Sequence, residues 1–224
     1  MSRNGRLVVC DICETLYRSN TTTDYVRYVL EHMGLSDRLL LYRATVDRWS
    51  PIFLVLAICC RMSAVDVGRR ILLALLRGIH RDQLAELSTE FVSSFLTHRK
   101  ISESHEYLDR AKRRGDAVLL ASASIDPVVE AIAAKLGVRA VSSRLGYDRH
   151  GRCRGTLELD LTGRKVAAIR AMLLPGMALT VLTDNRCDRP LLELADEPIV
   201  FLRRESDRRH WRGFKARFVQ IGAS

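Results

Sequence analysis

The sequence predicts an α/β fold, in which a parallel sheet is flanked by helices and an all-helical segment is inserted after the first strand. Short apolar runs typical of buried parallel strands stand at residues 7–10, 117–121, 179–183 and 199–202, and helical patterns separate them. Between the first two of these runs, residues 24–98 show helical spacing and no strand pattern. A chain of 224 residues is long enough for one such domain with a sizeable insertion.

The first strand, Leu7–Cys10, ends at Asp11. In the segment that follows, apolar residues recur at helical spacing in successive stretches: Tyr25–Met33, Leu39–Leu41, Pro51–Met62, Ile71–Leu76 and Leu84–Leu96. Ser63–Asp66 resembles a capping box ahead of the fourth stretch. We therefore predict an inserted helical unit over residues 19–98, with residues 1–18 and 99–224 forming the α/β core.

The remainder of the chain alternates between helices and strands. A polar helix over Glu103–Arg114 precedes the second strand, and Asp126 and Pro127 supply the predicted N-cap and first turn of the next helix. The later elements follow in order: a strand over Ala140–Ser142 with a hairpin around His150–Gly151, a helix over 163–173, a strand over Leu179–Thr183, a short helix from Pro190 and a last strand over Ile199–Leu202. Strands that alternate with helices indicate a parallel sheet.

Polar residues follow three of the apolar runs: Asp11, Ser122 and Asp184. Ligands of parallel sheets bind beyond the carboxyl ends of the strands, so we expect these side chains to meet at one edge. Two carboxylates and a hydroxyl there would bind a hard cation and an oxyanion, and Mg²⁺ prefers one or two carboxylates together with phosphate oxygens. Asp188 is close enough in sequence to support the metal site, and Lys165 could neutralise both carboxylate and phosphate.

The order of these residues resembles the haloacid dehalogenase-like hydrolase superfamily, and in particular its phosphoserine-phosphatase-like branch. Four segments carry the resemblance: Asp11–Leu16 for the DxDxT motif, Ala121–Ser124 for the second motif, Gly163–Val166 for the motif lysine and Thr183–Asp188 for GDSxxD. The match extends from about residue 7 to 202.

The resemblance implies a Rossmann-like core with a helical cap and Mg²⁺-dependent phosphoryl transfer through an aspartyl-phosphate intermediate. Asp11 would then be the nucleophile and a metal ligand, and the carbonyl of Cys13 and the side chain of Asp184 would complete the protein ligands of Mg²⁺. Ser122 and Lys165 would hold the phosphoryl oxygens. Asp188 would support the metal site without binding the metal directly.

Cys13 departs from the family motif, which has at this position an Asp that protonates the leaving oxygen and activates water. A thiol with a pKa near ~8.5 is mostly protonated at neutral pH and hydrogen-bonds weakly to oxygen. The loss of a positioned acid/base costs about 10²–10⁴-fold in rate. Glu14 is adjacent, but its side chain should point elsewhere if residue 13 points into the site. Metal binding is preserved in this interpretation because the ligand at residue 13 is a carbonyl.

The charge and cysteine content leave other partners open. The net charge of +10, carried mostly by Arg, favours anionic partners or reflects a genome that encodes Arg in place of Lys. Cys10 and Cys13 form a CxxC pair without the second pair that a zinc site needs. Ser19–Asp24 could line the entrance to the site or simply begin a helix.

Two segments could contact a membrane. The apolar run Ile52–Cys60 is either helical core, which we favour, or a rim for a lipid phosphate. The basic segment Arg203–Arg217 carries aromatic residues at helical spacing, which favours a terminal helix packed on the domain over a face for anionic lipid or nucleic acid. No apolar run reaches the ~20 residues of a membrane span, and the N-terminal stretch is too short for a signal peptide, so we expect a cytoplasmic protein.

The leading hypothesis is a Mg²⁺-dependent phosphatase of a small phosphomonoester, slow because of Cys13. The alternatives are a non-catalytic relative that binds a phosphorylated ligand or partner, and a lipid-phosphate phosphatase at a membrane surface. A dehalogenase is disfavoured because that reaction needs no metal, whereas Asp184 and Asp188 are both present. Nucleic acid is not expected as a partner, peripheral membrane contact is not favoured, and the sequence gives no indication of the oligomeric state.

Overall fold

The computed structural model describes residues 5–47, 50 and 66–222, and its centre is a seven-stranded sheet. The strands are β1 (Arg6–Cys10), β2 (Ala117–Ile125), β3 (Arg139–Tyr147), β4 (Cys153–Leu159), β5 (Ala178–Thr183), β6 (Glu197–Leu202) and β7 (Arg217–Gln220). Their order in the sheet is β4-β3-β2-β1-β5-β6-β7, and every neighbouring pair is parallel except the β3–β4 hairpin. The predicted α/β fold is thereby confirmed.

Eight α-helices accompany the sheet within the described residues. They are α1 (Thr21–His32), α2 (Ser36–Val46), α3 (Val67–Ala74), α4 (Arg81–Ser94), α5 (Ser102–Arg113), α6 (Asp126–Leu136), α7 (Lys165–Arg170) and α8 (Arg189–Leu192). Short 3₁₀ helices lie at Leu96–Arg99, Arg186–Asp188 and Glu205–Trp211. None of these described helices is both long and apolar enough to cross a membrane.

The segment between β1 and β2 is helical wherever the structure describes an element in it. The division into a core of residues 1–18 and 99–224 and a cap of residues 19–98 stays a prediction. The predicted helical stretch Pro51–Met62, the apolar run Ile52–Cys60 within it and Ser63 of the proposed capping box lie outside the described residues. Asp66 of that box does cap α3, because its side chain accepts the Arg69 backbone N–H at 2.9 Å.

Strand β1 lies in the middle of the sheet and is covered on both faces. Val8 and Cys10 belong to the apolar cluster on one face, and Leu7 and Val9 belong to the cluster on the other. This alternation follows from the pleat of a strand, and apolar residues on both faces are typical of a parallel sheet between two helical layers. Because β2 and β5 flank β1, the ends of these three strands lie side by side.

The helical segment is tied to the β3–β4 hairpin by main-chain contacts. The Gly78 N–H donates to the Cys153 carbonyl at 2.8 Å, and the Cys153 N–H donates to the Ile79 carbonyl at 2.8 Å. A Cβ on Gly155, whose φ is +72°, would lie 2.8 Å from the Ala74 Cα, so only glycine allows this approach. The hairpin and the C-terminal end of α3 are therefore in direct contact.

The structure corrects the predicted terminal helix over Arg203–Arg217. The 3₁₀ helix ends at Trp211, and Gly213 with φ +73° redirects the chain into β7, which pairs with β6. Trp211 is buried, and Phe214 and Phe218 pack against the same apolar cluster. The aromatic residues thus pack on the domain as expected, but from a 3₁₀ helix and an added strand.

Two smaller expectations at β2 were also wrong. The strand does not end at Ser122 but continues to Ile125 after a shift in its register with β3. Asp126 is inside α6 and does not cap it, because its Oδ1 accepts the Leu145 backbone N–H at 3.0 Å. Pro127 does stand in the first turn of α6, as predicted.

Candidate active site

A cleft of about 730 Å³ opens at the carboxyl ends of β1, β2 and β5. The strand ends and the helical segment between β1 and β2 both contribute to its walls. The strand ends and the region of α7 supply Asp11, Cys13, Ser122, Ser124, Lys165 and Asp188, and the helical segment supplies Asn20, Thr22, Thr45, Arg69 and Leu72. The cleft therefore lies where parallel sheets bind their ligands.

Lys165 joins two carboxylates at the floor of this cleft. Its Nζ lies 3.0 Å from Asp11 Oδ1 and 2.8 Å from Asp188 Oδ2, and all three residues are buried. The Thr183 hydroxyl donates a further hydrogen bond to Asp188 Oδ2 at 2.9 Å. Lys165 is the first residue of α7, so the start of this helix directs the ammonium group to the end of β1.

The charges of this cluster depend on one another. Burial disfavours the Lys165 cation, but the carboxylates of Asp11 and Asp188 outweigh burial and raise the pKa of Lys165. Burial raises the pKa of Asp11, and Lys165 opposes that rise. The cluster sets one cation against two carboxylates, so loss of Lys165 would leave both carboxylates buried without a countercharge.

Asp184 follows β5 and is held by Thr15. The Asp184 N–H donates to Thr15 Oγ1 at 3.0 Å, and the Thr15 hydroxyl donates to Asp184 Oδ1 at 3.1 Å. Arg203 Nη2 lies 3.6 Å from Asp184 Oδ2 and 2.9 Å from Glu14 Oε2. Burial and then the charge of Asp11 raise the pKa of Asp184 to about 7, although Arg203 opposes this rise.

Cys13 lies beside two hydroxyl groups. Its Sγ is 3.1 Å from Thr21 Oγ1 and 3.3 Å from Ser124 Oγ, and these two oxygens are 2.6 Å apart. Burial, together with the charge of Asp11, raises the pKa of the Cys13 thiol. Cys13 is therefore a neutral thiol at pH 7. Glu14 points elsewhere, as expected, since its carboxylate is paired with Arg203.

Ser122 stands where β2 loses its register with β3. Ser122 pairs with Ser142, but the next paired residue of β2 is Ile125, opposite Ser143. The two residues between them, Ala123 and Ser124, bulge out and line the cleft. The Ser122 Oγ accepts the Ser124 N–H at 3.2 Å, which holds the bulge together.

The donor set at this edge fits Mg²⁺ in kind. Asp11 and Asp184 would supply carboxylate oxygens and Cys13 its backbone carbonyl, all of them hard ligands. The raised pKa of Asp184 reflects in part the repulsion by Asp11, which a divalent cation would offset. In the part of the chain that the structure describes, no three His, Cys, Asp or Glu side chains converge as a metal site. Mg²⁺ held here would therefore draw further ligands from water and substrate.

The structure thus brings the predicted site residues to one edge, where Asp184 stands apart from the others with Thr15 and Arg203 and the rest form two groups. Asp11, Lys165 and Asp188 are in direct contact, whereas Cys13 and Ser122 are linked through Ser124. Of the predicted entrance segment, Asn20, Thr22 and Thr23 line the cleft, and Asn20 also caps α1 by accepting the Thr23 N–H at 3.3 Å. Both interpretations of that segment therefore hold.

Sequence reasoning gave no role of their own to four residues of this site: Thr21, Arg69, Ser124 and Arg203. Thr21 and Ser124 stand inside or next to segments already singled out, so their hydroxyls could have been considered as partners of Cys13. Arg69 and Arg203 are two of many arginines in this chain, and no spacing in the sequence distinguishes them. Only the fold brings them to the strand ends.

A family model described as haloacid dehalogenase-like hydrolase matches residues 8–193. No curated protein sequence matches the chain. Among solved structures, a protein with unknown function from Bordetella pertussis Tohama I has a TM-score of 0.79 at 20% identity, over 96% of this chain and 98% of that one.

Two further structures are of phosphoserine phosphatases. The probable phosphoserine phosphatase from Vibrio cholerae, unliganded, has a TM-score of 0.62 at 12% identity, over 96% of this chain and 60% of that one. A phospho-aspartyl intermediate analogue of phosphoserine phosphatase has a TM-score of 0.55 at 18% identity, over 98% and 94%. At these identities the likeness shows that the chain shares their fold.

The raised pKa of Asp184 predicts a pH-dependent stability of the metal-free protein. A carboxyl group with a pKa of about 7 when folded and ~3.9 when unfolded stabilises the fold below pH 4, and this contribution is lost as the pH rises through 7. Asp184→Asn should therefore raise the melting temperature relative to wild type, and the rise should be larger at pH 8 than at pH 5. The difference between the two rises should be on the order of 5 °C.

The measurement is thermal unfolding in EDTA at both pH values. Asp37→Asn, which changes an exposed carboxylate in α2, is the matched control. Its melting temperature should differ from that of wild type by the same small amount at both pH values. An Asp184→Asn effect that is equal at pH 5 and pH 8 would contradict the assigned pKa.

Proposed function

The chain belongs to the haloacid dehalogenase-like hydrolase family, and we propose that it is a Mg²⁺-dependent phosphatase of a small phosphomonoester with Asp11 as its nucleophile. The observation that carries this proposal is the buried contact of Lys165 with Asp11 and Asp188 at the floor of the cleft. This contact supports the proposal because, in the proposed reaction, Asp11 attacks phosphorus and the adjacent Lys165 cation binds the phosphoryl oxygens. The similarity to phosphoserine phosphatases supports the same reaction.

In the first step, a carboxylate oxygen of Asp11 bonds to phosphorus while the bond from phosphorus to the leaving oxygen breaks. The attack brings one anion towards another, so its barrier depends on charge compensation and alignment. Lys165 compensates the charge of Asp11 and the phosphoryl oxygens, and the Ser122 hydroxyl donates to one of these oxygens. Mg²⁺, held by Asp11, Asp184 and the Cys13 carbonyl, would add charge compensation when it is bound.

The leaving oxygen must also gain a proton. We assign this role to Cys13, because it lines the cleft, its thiol stays protonated, and the hydroxyls of Thr21 and Ser124 hold it in place. A thiol is a weak hydrogen-bond donor to oxygen, so the help it gives is smaller than that of a carboxylic acid. Substrates with good leaving groups need this help least.

In the second step, water attacks the phosphorus of the aspartyl phosphate, its proton passes to a base, and the Asp11 carboxylate is released. A neutral thiol does not accept this proton readily, and the raised pKa of Cys13 leaves little thiolate at pH 7. We therefore expect hydrolysis of the aspartyl phosphate to limit the rate for substrates with good leaving groups. The phosphorylated enzyme should then accumulate during turnover.

The same weakness of Cys13 favours a second candidate function, in which the protein binds a phosphorylated ligand or partner with little turnover. Binding needs the charges of Lys165 and Mg²⁺ but not an acid/base at residue 13. The lipid-phosphate alternative depends on Ile52–Cys60, which lies outside the described residues, and membrane contact remains the less favoured interpretation. A cytoplasmic location stays a prediction.

With Mg²⁺ present, the protein should release phosphate from p-nitrophenyl phosphate and from substrates within a panel of sugar, amino-acid, nucleotide and lipid phosphates. Asp11→Asn should lower turnover by at least about 10³-fold, because it removes the nucleophile. EDTA should have a similar effect, and Asp37→Asn should leave turnover unchanged. Phosphate release is measured at steady state.

Turnover that survives in Asp11→Asn would refute this mechanism. If wild type shows no turnover but Mg²⁺ with beryllofluoride raises its melting temperature, the binding function is correct instead. If that mixture leaves the melting curve unmoved as well, the site itself is assigned wrongly.

Cys13 allows a second, sharper test. Cys13→Asp restores a carboxyl group of similar reach, so it should raise hydrolysis of p-nitrophenyl phosphate on the order of 10-fold or more and move the pH optimum downward. Cys13→Ala should matter little for this good leaving group and more for an alkyl phosphate that needs protonation. Steady-state kinetics of the three proteins on both substrates measure these effects. Equal rates for all three on both substrates would remove Cys13 from the mechanism.

A further inference from the structure

Arg69 belongs to α3 in the helical segment, yet its guanidinium group reaches the edge of the sheet. Its Nη1 donates to Asp160 Oδ1 at 2.9 Å and to Thr162 Oγ1 at 2.6 Å. Its Nη2 donates to Ser143 Oγ at 3.1 Å and to the Ala123 carbonyl. Only 17% of the side chain is exposed. A planar guanidinium fork is the one side chain that can serve four acceptors in this way.

The acceptors belong to two segments that flank the candidate site. Ala123 follows Ser122 in the bulge of β2, and Asp160 and Thr162 precede Lys165. Ser143 joins the two segments, because its hydroxyl donates to the Ala123 carbonyl at 2.9 Å and accepts the Leu161 N–H at 3.0 Å. Arg69 thus completes a hydrogen-bond network between the segments that carry Ser122 and Lys165, the two residues proposed to hold the phosphoryl oxygens.

The charge of Arg69 is already compensated within this network. Burial would raise the pKa of Asp160, but the hydrogen bonds from Thr162 and the contact with Arg69 outweigh burial and lower it, so the carboxylate is ionised. An arginine paired with a carboxylate and two hydroxyls has little capacity left to attract a substrate. Its contribution is therefore geometric.

We propose that Arg69 is a positioning residue, which holds the Ser122 bulge and the segment before Lys165 in the arrangement that binds a phosphoryl group. The inference rests on the proposed function for its catalytic consequence. Because Arg69 is carried by α3, this arrangement forms only when the helical segment is seated on the sheet edge. The helical segment then helps to build the phosphate site in addition to covering it.

The need for such a residue follows from the local backbone. At the bulge, β2 leaves its ladder with β3, so Ala123 and Ser124 lack the regular sheet hydrogen bonds. Residues 160–164 connect β4 to α7 outside any helix or strand. Displacement of a catalytic group by 1 Å costs on the order of 10²-fold in rate, so both segments need a fixed support.

Arg69→Lys is the central variant, since it keeps the positive charge but cannot serve four acceptors. We expect hydrogen exchange of residues 122–126 and 158–164 to become at least about 10-fold faster, and kcat/KM to fall by about 10–100-fold. Binding of inorganic phosphate with Mg²⁺, measured by calorimetry, should weaken by a similar factor. Arg70→Lys is the matched control, because Arg70 is the exposed neighbour on the same helix and should change none of these values.

Asp160→Asn weakens the same network from the other side. If Arg69 acts through it, Asp160→Asn should accelerate exchange in the same two segments, and the double variant should be little worse than either single one. Unchanged exchange in both segments for Arg69→Lys would overturn the proposal. So would faster exchange that leaves both phosphate binding and kcat/KM unchanged.

The proposed function and this inference fail in different ways. A wild-type protein that neither hydrolyses nor binds phosphate overturns the phosphatase assignment and, with it, the catalytic consequence for Arg69. The exchange data then still decide whether Arg69 orders the two segments. Normal turnover in wild type and in Arg69→Lys leaves the phosphatase assignment standing and overturns the role of Arg69 alone.

Discussion

Lys165 is buried at the carboxyl edge of the sheet, where its ammonium group contacts the carboxylates of Asp11 and Asp188 at once. The end of β1, the start of α7 and the 3₁₀ helix after β5 must therefore meet at this point. Loss of Lys165 would leave its two buried carboxylates without a countercharge, at a cost of about 3–5 kcal/mol. The same constraint underlies the proposed chemistry, because a carboxylate that lines a cleft and is paired with a cation can approach a phosphate anion.

The residues around this cluster divide the work of the proposed reaction. Asp184 and Asp11 would provide the oxygen ligands of Mg²⁺ in this proposal, and the repulsion between them is one reason for the raised pKa of Asp184. Cys13 occupies the position of the family's acid/base residue but stays a neutral thiol. The proposed attack by Asp11 is therefore better supported than the proposed hydrolysis of the aspartyl phosphate. Arg69 connects the helical segment to the bulge of β2 and to the turn before Lys165.

Local sequence patterns predicted much of this site because its main residues follow buried strands directly. Asp11 and Asp184 are placed by β1 and β5, whose apolar runs are plain in the sequence, and strand order in a parallel sheet brings their ends together. Ser122 lines the cleft, as expected, although the strand continues past it through a bulge that was not foreseen. A bulge depends on pairing with β3, which the sequence of β2 alone does not reveal.

The parts that sequence reasoning missed depend on contacts between distant segments. Phe218 matched a helical spacing, but the open edge of β6 offers hydrogen bonds that draw Arg217–Gln220 into a strand. Arg69 reaches acceptors more than 50 residues away in sequence, and nothing near it distinguishes it from its neighbour Arg70. The domain boundaries and the roles of the individual site residues stay predictions.

The central claim is that Asp11 carries the phosphoryl group during turnover. It is tested most directly by quenching the enzyme in acid during hydrolysis of p-nitrophenyl phosphate with Mg²⁺ and mapping the phosphorylated peptide by mass spectrometry. The account predicts phosphate on the peptide that contains Asp11, present in wild type at a substantial fraction of the enzyme and reduced in Cys13→Asp. Phosphate on another residue, or continued turnover with no phosphorylated peptide at all, would contradict it.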